Sequence, residues 1–319
     1  TRGDLTESIH VAYAVAVAGN GQVIFSTGDP NYLTCIRSSL KPFQAAASVK
    51  VGAVDAAGFD EKELALMCAS HKGQDMHTST AENMLSKLGL SVEDYECGSH
   101  YPSDIDTRHR MIRENEGMNP LHNNCSGKHA GMLALAKHLT DEISLYIQKD
   151  HPVQKTIMEY VKDISGLEEI PTEIDGCSAP TPFMTLQTIA NLFQVLAAGI
   201  QPELKRVFNA MSSFPEMVGG TGHFDSLFIE SLNKRGVTKV GGESIRGISL
   251  KTEKHGPIGI AIKVLDGNFR ALPIATMKLL EHMQLLNEHE LNKLDKFRTK
   301  ILTNHNGIET GRIEAYIDF

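Results

Sequence analysis

The chain has 319 residues, of which 41% are hydrophobic and 22% are charged, and its formal net charge is −8. These proportions are typical of soluble globular proteins and exclude a disordered or fibrous chain. No Lys/Arg cluster is longer than the pair Lys234-Arg235, which argues against nucleic acid as a partner. The longest nearly apolar run, 11–19, is about half of the ~18 residues that a membrane-spanning helix needs, so no membrane association is expected.

The N-terminal sequence and the cysteines indicate the compartment. No basic patch followed by an apolar stretch stands at the beginning of the chain, and we therefore expect a cytoplasmic protein. The five cysteines are an odd number at irregular spacing, unlike the framework of a small secreted protein. Most of them should be reduced and buried.

The predicted elements begin with a hairpin. Residues 9–28 alternate small and apolar side chains around Gly19-Asn20-Gly21, a sequence that favours a tight turn between two strands. An alanine-rich helix follows from Lys41, with Pro42 in its first turn, which places Ser38 at or just before a helix N-terminus. Apolar residues at three- and four-residue steps then predict helices within 61–69, 77–90, 127–139, 152–164, 185–199, 202–211 and 225–236.

Strand character returns in 257–268, and 269–286 reads as a long helix before a polar helix, 287–297. Strands at both ends of a chain with a helical middle predict one sheet with helices packed on it. The expected fold class is therefore α+β (mixed α/β). Weak breaks near 73–75 and 219–220 suggest subdomain boundaries with the active site between them.

The segment Arg37-Ser38-Ser39-Leu40-Lys41 carries the first candidate chemistry. Residues three apart at a helix start share one face, so Ser38 and Lys41 can touch. A lysine whose pKa is lowered by burial and positive surroundings can take the proton of a serine. The same spacing recurs as Ser231 and Lys234, where it reads as part of an exposed helix face, so the spacing alone does not identify a catalytic pair.

Ser70 and His71 form a second polar cluster at the end of an apolar helix, before Gly73. Functional residues often lie at such positions. The alternative is that both side chains cap the helix C-terminus, where a histidine is favourable for the dipole alone.

Cys125 and His129 are four apart at a helix start, and Cys177 lies in a remote loop. These three side chains are compatible with a zinc site. The competing interpretations are buried structural cysteines or a disulfide between Cys125 and Cys177.

Lys239 precedes two glycines and Glu243, and the glycines would allow a ligand to approach the backbone closely. Lys263, in the strand IAIKVLDG, is the competing lysine. Either lysine could instead be a solvated surface side chain.

Taken together, RSSLKPFQA, LALMCASHKGQDMHTSTAENML, NNCSGKHAGMLALA, DGCSAPTP, FPEMVGG, TKVGGES and IGIAIKVLDGN resemble, in order, the blocks of the Rhizobium-type L-asparaginase family, also called asparaginase II or class 3. The resemblance covers about residues 1–285 and implies a catalytic domain of that extent, with 286–319 a polar helical C-terminal tail. It also implies a fold like the serine β-lactamases and glutaminases, with a helical subdomain, and a homodimeric enzyme that converts L-asparagine to L-aspartate and ammonia.

The resemblance also implies the roles of individual residues. Ser38 with Lys41 and Ser70 with Lys239 match two catalytic Ser-Lys pairs in one pocket. A zinc ion near the substrate, which modulates rather than drives the reaction, is implied with a lysine in the place where spacing alone suggests His129. The implied zinc ligands are Cys125, Lys128 and Cys177, and the residues implied to hold the substrate's α-amino and α-carboxylate groups are Arg37, His129 and Asp175.

Lys41 would take the proton of Ser38, whose oxygen attacks the carboxamide, while Ser70 and Lys239 relay the proton to the leaving nitrogen. A glutaminase is one alternative, because its substrate differs by one methylene, worth only ~1–3 kcal/mol in a pocket. A β-lactamase or penicillin-binding-like acyl enzyme is another, although the K-T-G and S-D-N motifs of those enzymes are absent from the sequence. The third alternative is a non-catalytic zinc-binding module.

Overall fold

A computed structural model describes residues 1–19 and 21–317. Its centre is a five-stranded antiparallel sheet in the order β2-β1-β8-β7-β6. The strands are β1 (Ala12–Val17), β2 (Val23–Thr27), β6 (Gly236–Gly241), β7 (Ile245–Thr252) and β8 (Gly256–Val264). The N-terminal hairpin therefore joins three strands from the C-terminal half, and the predicted hairpin is confirmed; Asn20 in its turn lies outside the described residues.

Helices supply most of the remaining chain. Their bounds are α1 (Lys41–Lys50), α2 (Ala53–Ala56), α3 (Glu61–Met67), α4 (Asp75–Leu88), α5 (Ile105–Arg113), α6 (Ser126–Leu139), α7 (Pro152–Ser165), α8 (Leu186–Ala198), α9 (Pro202–Ser213), α10 (Pro215–Gly219), α11 (Phe224–Ser231), α12 (Leu272–His282) and α13 (Glu288–Lys293). Short 3₁₀ turns occur at Arg37–Leu40, Val92–Asp94, Pro120–His122 and Asp295–Phe297. Each helix predicted from apolar spacing corresponds to one of these elements, and the mixed α/β class is confirmed.

Each face of the sheet is covered by helices, because successive side chains of a strand point to opposite faces and both sets are apolar here. Val15 and Val17 of β1 face a core that is shared with α1, α3, α6 and α8. Ala14 and Ala16 face a second core that is shared with α11 and α12. The sheet thus separates two hydrophobic layers, which is the helix-flanked arrangement that the sequence predicts.

Two smaller sheets lie outside the central one. A three-stranded sheet, β3-β5-β4, is formed by β3 (Leu33–Cys35), β4 (Thr172–Ile174) and β5 (Pro180–Thr185). In the predicted helical tail, α13 is followed by a hairpin of β9 (Lys300–Thr303) and β10 (Glu309–Ile313), so the helical prediction is wrong for these residues. Position 311 of the hairpin lies against the backbone of Thr1, a pairing between the chain ends that local composition does not reveal. Residues 318 and 319 of this tail lie outside the described residues.

The two glycine segments that suggested subdomain boundaries contact each other. The Lys72 amine donates to the Thr221 carbonyl at 2.9 Å, and the Thr221 N–H donates to the Gln74 side chain at 3.0 Å. The Ser70 N–H donates to the Val218 carbonyl at 3.0 Å. Segments 70–75 and 218–221 therefore form one joined loop region beside Ser70. Among the described residues, no helix has both the length and the hydropathy that a membrane span needs.

Gly259 on β8 is where α8 approaches the sheet most closely. A Cβ at this position would lie 1.9 Å from the Ala190 carbonyl oxygen and 2.2 Å from the Gln194 nitrogen, both of them backbone atoms. We expect Gly259→Ala to lower the free energy of unfolding by about 2 kcal/mol or more, because α8 must move away from the sheet. Denaturant unfolding measures this change. Gly117→Ala, where a Cβ meets nothing within 4 Å, is the control, and equal losses in the two variants would contradict this packing argument.

Candidate active site

The Ser70 hydroxyl lies between two lysine amines. Lys239 Nζ donates to Ser70 Oγ at 2.8 Å, and Lys41 Nζ donates to it at 3.1 Å. Both lysines are at most 1% exposed. The structure thus brings together three of the four predicted catalytic residues, in a pairing that places both amines on one serine.

Lys41 reaches this position from the first residue of α1. Its amine also donates to the backbone carbonyls of Ala69 and Asn124, the latter at 3.3 Å. Three acceptors match the three protons of an ammonium group, which lets the charge be buried. The α1 start, the chain before Ser70 and the loop before Cys125 are thereby joined through one side chain.

Lys239 extends from β6, the edge strand of the central sheet. Besides Ser70, its amine donates to the Val240 carbonyl at 2.7 Å. Burial lowers the pKa of Lys239 to about 7, with the nearby Lys41 acting in the same direction and the Asp225 carboxylate against it. A lysine with this pKa is neutral in a substantial fraction of molecules near neutral pH, so it can accept a proton.

Ser38 does not contact Lys41 by a hydrogen bond, and within the described residues its hydroxyl has no hydrogen-bond partner. The reason is local geometry: Arg37 begins a 3₁₀ turn with φ +50°, and Lys41 reaches past this turn to Ser70. Ser39, which is not one of the predicted site residues, is fully buried. Its hydroxyl donates to the Lys239 carbonyl at 2.8 Å. The turn is thereby fastened to β6.

His71, next to Ser70, has a structural position. Its Nδ1 accepts the Gly73 N–H at 3.1 Å, so the proton lies on Nε2, which contacts the Ser126 hydroxyl at 2.9 Å. Burial holds its pKa well below the usual value, and the ring of His77, stacked at 4.8 Å, acts in the same direction. A neutral His71 therefore connects the loop after Ser70 to the first residue of α6.

Cys125, Lys128 and Cys177 meet at the start of α6. Lys128 Nζ donates to Cys177 Sγ at 2.8 Å, and the three side chains are buried. The hydrogen bond from Cys125 and the charge of Lys128 lower the pKa of Cys177 in spite of its burial, whereas the pKa of Cys125 is raised. All five cysteines have free thiols, so Cys125 and Cys177 are adjacent without a disulfide.

These three side chains have the donor types of a metal site. Two sulfurs and an amine supply three ligand atoms, and a thiolate is the form that binds zinc. Within residues 1–19 and 21–317 no cluster of three or more His, Cys, Asp or Glu side chains suited to a metal ion is found. A site here therefore requires the lysine, in its neutral form, as the third ligand.

His129 is buried behind the cysteines. Tyr146 Oη accepts the Glu96 N–H at 2.9 Å and lies 2.7 Å from His129 Nδ1. The other ring nitrogen, Nε2, has no hydrogen-bond partner in the described residues. Burial lowers the pKa of His129 to about 4. His129 thus presents a buried ring nitrogen without a partner near Cys177.

Arg37 and Asp175 form an ion pair with Nε to Oδ1 at 2.7 Å. The Asp175 side chain is 10% exposed and that of Arg37 is 29% exposed. The guanidinium lies against Gly242, where a Cβ would be 2.9 Å from its central carbon. Arg37 can approach the β6–β7 turn because this position has no side chain, and its remaining N–H donors stay available to a ligand.

Lys263, the competing lysine, is engaged elsewhere. Its amine donates to the carbonyls of Glu243 and Val264, the latter at 2.8 Å. Glu243 and Ser244 both have φ +58°, and the Ser244 hydroxyl donates to the Gly267 carbonyl at 2.9 Å. Lys263 therefore holds the turn that contacts Arg37 and makes no hydrogen bond to Ser70.

The family model described as L-asparaginase II matches residues 1–315. The chain belongs to the L-asparaginase II family. The match continues past residue 285, through α13 and the C-terminal hairpin. Membership supports a hydrolase, an amidohydrolase that acts on asparagine, and thus a small-molecule substrate. No curated protein sequence matches the chain.

Several solved structures are similar to this family member. They include a β-lactamase from Burkholderia ambifaria, at 14% identity and TM-score 0.38 over 79% of this chain and 84% of that one. A class A β-lactamase from Bacteroides cellulosilyticus has 10% identity and TM-score 0.41 over 91% and 92% of the two chains. A protein named Mglu, in its native form, has 15% identity and TM-score 0.38 over 88% and 63%.

Sequence reasoning missed two buried charged residues beside β6, the strand that carries Lys239. Asp225 and Arg246 form a fully buried ion pair at 2.6 Å, and Asp225 also accepts the Val240 N–H at 2.9 Å. The apolar spacing predicts only an amphipathic helix for the segment of Asp225, and it does not predict β7, which carries Arg246. The available signal was a charged residue inside the apolar alternation IRGISL, which indicates a buried charge with a partner.

The second S-x-x-K spacing is structural. Ser231 is buried rather than exposed and donates to the Phe228 carbonyl at 2.8 Å, and Lys234 lies beyond the end of α11. We expect Ser231→Ala to lower stability by about 1 kcal/mol and to leave ammonia release from asparagine unchanged. Lys234→Ala should change neither quantity. Loss of activity at full stability in either variant would assign the chemistry to this pair.

Proposed function

We propose that this chain is an L-asparaginase that hydrolyses the side-chain amide of L-asparagine to L-aspartate and ammonia through an ester on a serine. The observation that carries the proposal is the Ser70 hydroxyl held between the amines of Lys41 and Lys239. Family membership supplies the substrate class. The reaction needs a nucleophile, a base and an acid, and this cluster contains groups for all three roles.

Ser70 is the nucleophile that the contacts support best. Neutral Lys239 accepts the proton of Ser70 Oγ, and the oxygen attacks the carboxamide carbon. A proton from the lysine ammonium groups then reaches the leaving nitrogen, so that ammonia departs and an aspartyl ester remains. A water molecule then gives a proton to the Lys239 amine and attacks the ester. Hydrolysis releases aspartate and restores the Ser70 hydroxyl. The Ser70 N–H is not free to stabilise the oxyanion, because it is bonded to Val218; the Lys41 amine, 3.1 Å from Ser70 Oγ, is a donor that can take this role.

Ser38 is the second candidate for the nucleophile. Its hydroxyl is uncommitted in the described structure, and Lys41 follows it by three residues. In that version Ser38 attacks the carboxamide, and Ser70, bonded to both lysines, relays the proton. The two versions use the same four residues and differ in which serine carries the ester.

Substrate recognition is assigned to Arg37, Asp175 and His129. The partly exposed Arg37 guanidinium suits the α-carboxylate, since a planar fork of donors matches a carboxylate. Asp175 orients Arg37 and supplies negative charge for the α-ammonium. The unpaired Nε2 of His129 is a buried polar atom that a polar group of the substrate can satisfy. A glutaminase would use the same groups with its carboxamide one methylene further away.

Zinc is proposed at Cys125, Lys128 and Cys177, which fit it by donor type. A bound zinc ion would supply a fixed positive charge, keep both sulfurs as thiolates and favour the neutral Lys128 amine. It would also clip the start of α6 to the loop of Cys177, two segments that border the site. Ser70 with the amines of Lys41 and Lys239 already provides nucleophile and proton relay, so we assign the ion to substrate binding.

A homodimer in the cytoplasm completes the proposal. Five cysteines with free thiols suit a reducing compartment. Light scattering of purified protein tests the dimer.

Ser70→Ala should lower ammonia release from asparagine by at least 100-fold, because it removes the hydroxyl that both amines contact. Ser38→Ala should lower it by a similar factor if Ser38 carries the ester, and by less if Ser70 does. Mass spectrometry of quenched enzyme locates the added aspartyl group. Comparing kcat/KM for asparagine and glutamine tests the substrate. Wild-type protein that releases no ammonia from asparagine would refute the proposed function.

Removal of metal should raise the KM for asparagine and leave most of kcat. Cys177→Ser should act in the same direction, because both changes disturb ground-state and transition-state binding alike. The measurement is a zinc titration of chelated enzyme with both constants followed. Complete loss of kcat without metal would instead assign the chemistry to a metalloamidase.

A further inference from the structure

We propose that Asp225 and Arg246 are a positioning pair that sets the proton affinity of the Lys239 amine at Ser70. Neither residue touches Ser70, and no motif contains them. The inference rests on the proposed function, because it concerns the base of the same reaction. It is carried by the contacts of the Asp225 carboxylate with the strand that bears Lys239.

Asp225 closes the exposed edge of the central sheet next to Lys239. β6 is an edge strand, and the N–H groups on its free side need acceptors. Asp225 Oδ2, from the first turn of α11, accepts the Val240 N–H at 2.9 Å. The Val240 carbonyl in turn accepts from Lys239 Nζ at 2.7 Å. The Asp225 carboxylate and the Lys239 amine are therefore fixed on two sides of one residue.

Arg246 holds the carboxylate from the neighbouring strand. It lies opposite Val240 in the β6–β7 register, and its Nη1 donates to Asp225 Oδ1 at 2.6 Å and to the Thr238 hydroxyl at 3.0 Å. Its guanidinium stacks over the Phe224 ring at 4.1 Å. Because side chains alternate along a strand, Thr238 and Val240 face away from Lys239, and the ion pair lies on the opposite face of the sheet.

Both partners of this ion pair are at most 1% exposed, so their charges are not screened by water. A buried ion pair often contributes less to stability than an apolar replacement. The negative partner raises the pKa of Lys239 against the larger effect of burial, and Arg246 lowers it. The pair thus holds a negative charge near the amine and limits its effect with a positive one.

Among the charged groups near Lys239, Asp225 has the largest effect on its pKa, ahead of Lys41 and Cys125, and Arg246 acts against Asp225. Burial raises the pKa of Cys68 to about 12, so this thiol is neutral. Burial lowers the pKa of His223 to about 4, which makes it neutral too. Lys41 is a positive neighbour, and it already contacts Ser70.

Charged groups on the remaining elements that pack against β6 are engaged elsewhere. Arg37 in the 3₁₀ turn pairs with Asp175, and Arg206 on α9 pairs with two acidic residues at the surface. Glu203 on α9 accepts the Tyr160 hydroxyl at 3.3 Å. Lys251, at the far end of β7, stacks over Phe208 at 4.3 Å. Lys205, the remaining charged residue of α9, is exposed to solvent.

The test compares two substitutions that should shift the pKa of Lys239 in opposite directions. Asp225→Asn removes the negative charge and leaves Arg246, so Lys239 should lose its proton at lower pH. Arg246→Gln leaves the carboxylate without its countercharge, so Lys239 should lose its proton at higher pH. We expect shifts of about one pH unit or more, in opposite directions, in the ascending limb of kcat/KM for asparagine. A structural role alone would lower activity in both variants without this ordering.

A second readout separates this inference from the proposed function. NMR titration of Lys239 in ¹³C-lysine-labelled protein, assigned by loss of its signal in Lys239→Met, follows the amine without any substrate. Wild-type protein inactive on asparagine would refute the function, while the titration would still test the pair. Shifts in the same direction, or none, in the two single variants would overturn the inference.

Controls address folding. Asp225→Asn/Arg246→Gln keeps the buried site uncharged and should titrate between the two single variants, and Asp225→Glu should restore the wild-type midpoint. Glu290→Gln removes the acidic partner of Arg235, an ion pair at 2.6 Å elsewhere in the protein. It should not shift the ascending limb of kcat/KM for asparagine. A Glu290→Gln shift as large as that of Asp225→Asn would contradict a specific role for the pair.

Discussion

Two buried lysine amines share one serine hydroxyl, and the rest of the site depends on how their like charges are accommodated. Two ammonium groups on one oxygen repel each other, and burial disfavours the charged form of Lys239. The Lys41 amine donates to backbone carbonyls from two other segments, whereas the pKa of Lys239 falls to about 7. Lys239 is thus free to accept a proton beside a second amine that is held in place by its acceptors. A base and an acid for the same reaction are obtained from one residue type by different surroundings.

The tertiary fold provides those surroundings. Lys239 stands on a strand near the end of the chain, Lys41 begins a helix near its start, and Ser70 follows α3. The central sheet brings them together because its strands come from both ends of the chain. Ser39 then bonds the turn before α1 to β6, and Asp225 with Arg246 closes the edge of that strand from the other face. The catalytic proposal and the positioning proposal therefore both concern β6: Lys239 lies on one face of this strand, and Asp225 with Arg246 on the other.

The prediction from sequence was most reliable where the signal was periodic. Each helix predicted by apolar spacing is present, as are the N-terminal hairpin and the strand of Lys263. It failed for β7 and the C-terminal hairpin, whose strands bear polar or charged residues that weaken the alternation. Burial of Arg246 by an ion pair across elements is a tertiary effect, and no window of local sequence reports it.

The sequence by itself determined which residue types were available and the family to which they belong. Ser38, Lys41, Ser70 and Lys239 were identified in ordered blocks, and Cys125, Lys128 and Cys177 likewise. Only the tertiary structure decided that Lys41 bonds to Ser70 rather than to Ser38, and that His129 contacts Tyr146 through Nδ1. Spacing along a helix determines which side chains share a face. Which of them touch depends on segments far away in the chain, whose carbonyls and charges set the direction of each amine.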